Sequence, residues 1–150
     1  MGVGNELNGD DGAGIWVVRG LKRRLGERPD LLLIETGVAP ENFTSILRRF
    51  RPDWVLWIDT ADLGLEPGAI RWLDWDETVG FNASTHTLSP QLLGRYLARE
   101  LSCHMGILAI QPLHVRFGEK ISGPVKRSVN RLVKLLSGLL VGENCISMLE

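Results

Sequence analysis

Cysteine is scarce in this chain. Two among 150 residues, Cys103 and Cys145, are too few for a disulfide framework or a thiolate metal cage. A reducing cytoplasm is the expected home. Histidine is nearly as rare, at three, and no H-E-x-x-H helix signature occurs. There is no excess of charge of one sign. Seventeen Lys and Arg against eighteen Asp and Glu leave a net charge of −1, which excludes the basic footprint of a nucleic-acid or anionic-membrane binder. No apolar run reaches the length needed to cross a bilayer, and the N-terminus does not resemble a signal peptide. A G-x-S-x-G elbow, a Gly-Lys-Ser/Thr phosphate loop, internal repeats and linkers are also missing. What is present, 44% apolar and 23% charged residues, suits one globular domain spanning residues 1–150, expected to be a monomer.

Apolar runs alternate with amphipathic stretches. Met1 to Val3 offers only the stub of a first strand; either the strand is short or the natural start lies upstream. Val17, Leu21 and Leu25 recur at helical spacing over 15–25, with Gly26 as the stop. Leu31-Leu-Leu-Ile34, Trp54-Val-Leu-Trp-Ile58 and Gly106-Ile-Leu-Ala-Ile110 read as strands buried on both faces of a parallel sheet. Phe43, Ile46, Leu47 and Phe50 stripe a helix that opens near Pro40 and ends before Pro52. Ala69 to Trp75 alternates its side chains, as a half-exposed and antiparallel edge strand would. Ser89-Pro90 starts a helix striped by Leu92, Leu93, Tyr96, Leu97 and Leu101, and Pro124 opens the last helix. The tail from Gly142 loses pattern. The expected fold is a three-layer α/β/α sandwich with a mainly parallel sheet of about five strands. Ligands in such sheets bind beyond the carboxyl ends of the strands, so Asp10 and Asp11, residues 35–42, Asp59 to Asp62 and Gln111-Pro112 gather on one rim.

The opening stretch, Gly2-Val-Gly-Asn-Glu-Leu-Asn-Gly-Asp-Asp-Gly-Ala-Gly14, carries the strongest local signal. Glycine permits positive φ and close approach, and the adjacent acids stand at the mouth of a helix whose dipole stabilises anions. A dinucleotide fingerprint fails here, because Leu7 stands where the third glycine belongs and two acids crowd the phosphate position. A plainer alternative is a capped loop with solvated acids. Loop-held carboxylates also suit a hard or borderline cation. With Asp59 after the central apolar run and His86 ahead of the Ser89-capped helix, two carboxylates and an imidazole from separate loops form a mixed N/O set for a borderline divalent ion such as nickel, zinc or cadmium. Taken singly, a strand-end aspartate is commonly a turn residue and a loop histidine is commonly bland. Ser84 beside His86 makes no credible dyad, Cys103 and Cys145 lie in no activating loop, and His104 and His114 read as surface or supporting residues.

Gly-Val-Gly-Asn5, a short spacer and Asp10-Asp-Gly-Ala-Gly14 resemble the first motif of the hydrogenase maturation endopeptidases. Gly37-Val-Ala-Pro-Glu-Asn42, Ile58-Asp-Thr-Ala-Asp-Leu-Gly64 with Glu66-Pro-Gly68, Thr85-His86 and Ile110-Gln-Pro112 resemble the branch serving formate- or carbon-monoxide-linked, membrane-bound hydrogenases. The resemblance covers nearly the whole chain. It implies a soluble α/β endopeptidase that removes a C-terminal extension from the large-subunit precursor of a nickel–iron hydrogenase once nickel is in place. It further implies that Asp11, Asp59 and His86 are the metal-site and catalytic residues, and that the nickel is supplied by the precursor and not held tightly by the free enzyme. Whether the bond is broken through a metal-polarised carbonyl, a metal-activated water or without an enzyme-supplied metal is left open. The alternative from another class is a non-enzymatic chaperone that checks the same precursor for nickel; a nucleotide-binding module is a distant third.

Overall fold

Two seven-residue strands form the centre of the fold. In the computed structural model, which describes residues 1–77 and 89–142, β3 (Trp54–Thr60) and β5 (His104–Ile110) lie parallel and in register from Trp54 opposite His104 to Thr60 opposite Ile110. The run of large apolar side chains explains the placement, since a strand covered on both faces needs apolar residues at consecutive positions. Trp57 and Ile107 are fully buried, and each such side chain contributes roughly 1.5–3 kcal/mol by leaving water. β1 (Gly2–Val3) pairs in parallel with β3 on one side and with β2 (Glu35–Gly37) on the other. β4 (Ile70–Asp74) runs antiparallel along the free edge of β5, giving the order β2-β1-β3-β5-β4.

Among the described residues, four α-helices cover the sheet. α1 (Ala13–Leu25) and α4 (Gly123–Leu140) share one apolar cluster with Ile58 and Ile110. On the opposite face α2 (Thr44–Phe50) and α3 (Pro90–Leu101) bring Leu47, Leu93 and Leu97 against Trp57 and Ile107. The faces alternate for a topological reason. The chain steps from β1 to β2 in one direction and from β2 back across to β3 in the other, so right-handed crossovers place α1 and α2 on opposite sides. Ser89 caps α3, its hydroxyl oxygen accepting the Leu92 N–H at 3.3 Å, as the sequence predicts. Among the described residues no helix is long and apolar enough to cross a membrane.

Two expectations shift. The run Leu31–Ile34 is not the paired strand; the ladder with β1 begins at Glu35. β1 has only two paired residues, so the apolar run just before β2 has almost no ladder to join. Ile34 is held to the sheet by its carbonyl, which accepts the Gly2 N–H at 2.8 Å. The central strand, in turn, runs two residues past Ile58 and places Asp59 inside the ladder, opposite Ala109.

Candidate functional site

Strand order decides where a ligand would sit. The chain leaves β1 for one side of the sheet and later returns to pair with β1 from the other side, through β3. That reversal opens a crevice beyond the carboxyl ends of β1 and β3. The loop after β1 delivers Asp10 and Asp11 on a single 3-10 turn, Gly9–Gly12, and the end of β3 delivers Asp59. Glycine makes the close packing there possible. Gly4 has φ +124° and lies against the Asp11 carbonyl, and Gly14 brings the first turn of α1 onto the carbonyls of Val3 and Ile58, leaving no room for a Cβ at either position.

Asp59 is fully buried. Its Oδ1 accepts the N–H of Thr60 at 2.7 Å and its Oδ2 accepts the Trp57 Nε1–H at 3.2 Å. Burial pushes the carboxyl up to about 7; those two donors oppose the shift and the Asp11 charge adds to it. Asp11, also buried, accepts the Asn5 N–H at 3.0 Å on Oδ2 and the Thr60 hydroxyl at 3.3 Å on Oδ1. Thr60 therefore binds both acids, Asp59 through its amide and Asp11 through its hydroxyl. Two carboxylates that close in a dry setting attract a positive charge strongly, because little water screens them.

Asp10 behaves differently from its neighbour. Its Oδ2 accepts the N–H groups of Leu113 and His114 at 2.8 and 3.2 Å and the Ser122 hydroxyl at 2.9 Å, while Oδ1 accepts the Ser122 N–H at 2.6 Å. Ser122 precedes α4, yet its hydroxyl donates to Asp10 and makes no side-chain cap to the helix. The carboxylate lies at the N-terminus of an 18-residue helix, where the dipole attracts negative charge. Solvated acids capping α1 are thus excluded: both acids are buried, and α1 starts after Gly12 with no side-chain cap.

His86 lies outside the described residues, as do Ser84 and Cys145. Among the described residues, no three His, Cys, Asp or Glu side chains are grouped as a metal cage. His104 is exposed and stacks on Trp54 at 5.0 Å, at the start of β5 and the far end of the sheet from Asp59. His114 touches the acid loop through its backbone, the N–H donating to Asp10 Oδ2 and the carbonyl accepting the Asp10 N–H, and through its ring packing on Gly9. Cys103 is buried just before β5, its Sγ–H donates to the His104 carbonyl, and burial pushes the thiol up, the reverse of what a nucleophile needs.

The chain matches the family model described as hydrogenase maturation protease over residues 15–138. It belongs to that family. The hydrogenase 3 maturation protease of Escherichia coli K12 is 34% identical over 137 residues, covering 91% of this chain and 86% of that protein. A Methanocaldococcus jannaschii protein whose name marks it as a candidate hydrogenase maturation protease is 39% identical over 142 residues, covering 91% of this chain and 83% of its own length. Among solved structures, the nickel–iron hydrogenase maturation protease HycI from Thermococcus kodakarensis superposes with a TM-score of 0.85 at 29% identity, over 93% of this chain and 89% of that one.

Within a maturation protease of this fold, three supporting residues escaped sequence reasoning. Thr60 lies one position beyond the acid that stood out, and nothing in a Thr following an Asp announces a second hydrogen bond to residue 11. Ser122, passed over beside the helix start read at Pro124, gives its hydroxyl to Asp10 and not to a helix cap. Gln111, read only as part of the rim, accepts the Leu63 N–H at 2.6 Å and the Leu65 N–H at 3.3 Å and so ties the segment after β3 to the end of β5.

Proposed function

We propose that this maturation protease removes the C-terminal extension from the large-subunit precursor of a nickel–iron hydrogenase, recognising precursor-bound nickel through Asp11, Asp59 and His86. The observation that carries this is the pairing of two buried carboxylates, Asp11 and Asp59, delivered by different elements to the crevice between β1 and β3 and joined through Thr60. Oxygen donors with one imidazole and no thiolate make a weak cage for a borderline metal. A precursor that already holds nickel presents the ion with most of its coordination filled. The protease then adds a few ligands and gains affinity only for a loaded precursor. His86 enters through the family resemblance, as the third donor.

In this scheme the nickel belongs to the substrate. The chain's own residues orient and exclude: Thr60 and Asn5 fix the Asp11 carboxylate, Trp57 and the Thr60 amide fix that of Asp59, and burial keeps water from competing for either. The test compares nickel-loaded with nickel-free precursor, reading the loss of the extension as a mass shift on a gel, beside calorimetry of the free protein with nickel. Cleavage of the loaded precursor alone, with weak binding of free nickel, is expected. Equal cutting of both precursors, or tight stoichiometric nickel binding by the free protein, would overturn the nickel checkpoint. Stable binding of the loaded precursor without any mass shift would favour a chaperone.

A further inference from the structure

The near-neutral chain distributes its charge unevenly. α1 and α4, which pack together on one face of the sheet, carry eight of the seventeen Lys and Arg and none of the eighteen Asp and Glu. Arg19 and Lys22 are paired off to Glu6 and Glu35. Among the described residues no carboxylate lies within ion-pair distance of Arg23, Arg24, Lys126, Arg127, Arg131 or Lys134, and all six are exposed. Like charges at helical spacing, such as Arg127 and Arg131, repel one another. Nothing inside the described fold offsets that repulsion. A one-signed surface of this kind draws a partner of the opposite sign.

Between the two helices runs a groove of about 520 Å³ lined by Arg23, Arg24 and Lys126 and by no acid. Arg24 is held at its edge, donating from Nη1 to the Ser137 hydroxyl at 3.3 Å. The paired acids do not line the groove, but its upper end adjoins their loop. The Trp16 indole, one wall, lies against Gly12, and Ile121, another, precedes the Ser122 that binds Asp10. Both helices start at the carboxyl ends of the strands, so the groove leads away from that rim for about 12 Å, from residue 16 to residue 24. Shape selects among anionic partners. The apolar floor, Val129 and Val133, is buried beneath the exposed cations. A flat membrane surface would meet the cations without reaching that floor, whereas a polypeptide side chain can enter. One face of Trp16 is covered by the Arg19 guanidinium, 4.7 Å from the ring centroid, and is lost to base stacking. We propose that this groove docks an acidic segment of the precursor polypeptide, its Asp or Glu side chains pairing with Arg23, Arg24 and Lys126; this rests on the endopeptidase reading above. Exposed pairs of this kind act on encounter rate and salt dependence. They lie outside the nickel site, so they favour loaded and nickel-free precursor equally.

The experiment uses the full chain with the double reversal Arg23→Glu/Lys126→Glu and the milder Arg23→Gln/Lys126→Gln. Arg95→Glu/Arg99→Glu, at exposed positions of α3 on the opposite face of the sheet, changes the net charge equally and serves as control. Removing unpaired, mutually repelling cations should leave the melting temperature unchanged or raised. Should the Glu pair melt early, the Gln pair carries the test. Processing of nickel-loaded precursor at about 50 mM salt should show KM raised about tenfold by the Glu pair and about threefold by the Gln pair, with kcat unchanged and the α3 control within about twofold of wild type. At about 500 mM salt the wild-type KM should rise to that of the Gln pair. Direct binding of nickel-free precursor should weaken in the same order. Folded groove variants with wild-type KM at low salt, or an equal rise in the α3 control, overturn the docking groove and leave the endopeptidase reading standing. Protein that binds precursor with this charge and salt dependence but never cuts the loaded form overturns the endopeptidase reading and leaves the groove standing. Vesicles of phosphatidylglycerol and phosphatidylcholine that bind wild type but not the Glu pair, with KM for precursor unmoved, would assign the groove to an anionic membrane and sink the polypeptide assignment.

Discussion

Asp10 and Asp11 are adjacent in sequence, equally buried and one peptide apart on the same 3-10 turn, yet they face different surroundings. Asp10 accepts four hydrogen bonds from one loop and the start of one helix, and its charge is spent within the fold. Asp11 turns to the other side, toward β3, where a second buried carboxylate stands and where Thr60 contacts both. The first arrangement stabilises: each charge-assisted hydrogen bond is worth on the order of 1.5–3 kcal/mol. The second concentrates negative charge in a dry crevice, which costs stability and suits a site that awaits a cation. A motif of two identical letters thus holds one residue engaged by a loop and a helix start and one that faces a second buried acid, and only partners distinguish them.

The largest expected effect separates the two acids by activity. On the proposed reading, Asp59→Asn or Asp11→Asn should cut processing of nickel-loaded precursor by at least about a hundredfold while the far-ultraviolet circular dichroism stays native, because the lost charge is one that the proposed site uses. Activity near wild type in either variant would remove that acid from the site. Asp10→Asn should do the reverse in origin. Replacing an acceptor oxygen by an NH2 group against four donors should cost about 2–4 kcal/mol, lowering the melting temperature by roughly 5–15 °C. A melting temperature unchanged in Asp10→Asn would erase the contrast drawn above.

The next comparison uses pH. Asp59 has its carboxyl raised to about 7 in the folded chain against an ordinary value of 3.8. Between those values the unfolded chain has released the proton and the folded chain retains it, so the folded state binds more protons and stability falls as pH rises. The penalty is absent below about pH 4, grows to about pH 7 and is constant above. The melting temperature of Asp59→Asn minus that of wild type should therefore climb across that window, on the order of 10 °C, and then level off. A flat difference would show that Asp59 ionises normally. The smallest effect is expected for Ser122→Ala, which removes one of the four donors to Asp10. A loss of about 1 kcal/mol, read as a melting temperature lower by roughly 2–4 °C with KM nearly unchanged, would confirm that the clasp is shared among its donors.

Local sequence determined most of the elements. Consecutive apolar residues specify β3 and β5, Ser89-Pro90 specifies the start of α3, Gly26 ends α1 with φ +63°, and alternation in 70–74 specifies an antiparallel edge strand. These signals are legible because they depend on neighbours a few residues away. The α/β class, and with it the rim where Asp11 and Asp59 meet, follows from the alternation of such elements and from the handedness of crossovers. Tertiary structure alone decided the rest. Leu31–Ile34 has every property of a buried strand, but only Glu35–Gly37 finds the two paired residues of β1 as a partner. Asp10 could not be told from Asp11, since its donors lie more than a hundred residues away at Leu113, His114 and Ser122. Hydrogen bonds of that range leave no trace in local spacing, because the residues that make them are ordinary ones whose meaning comes from the fold that brings them together.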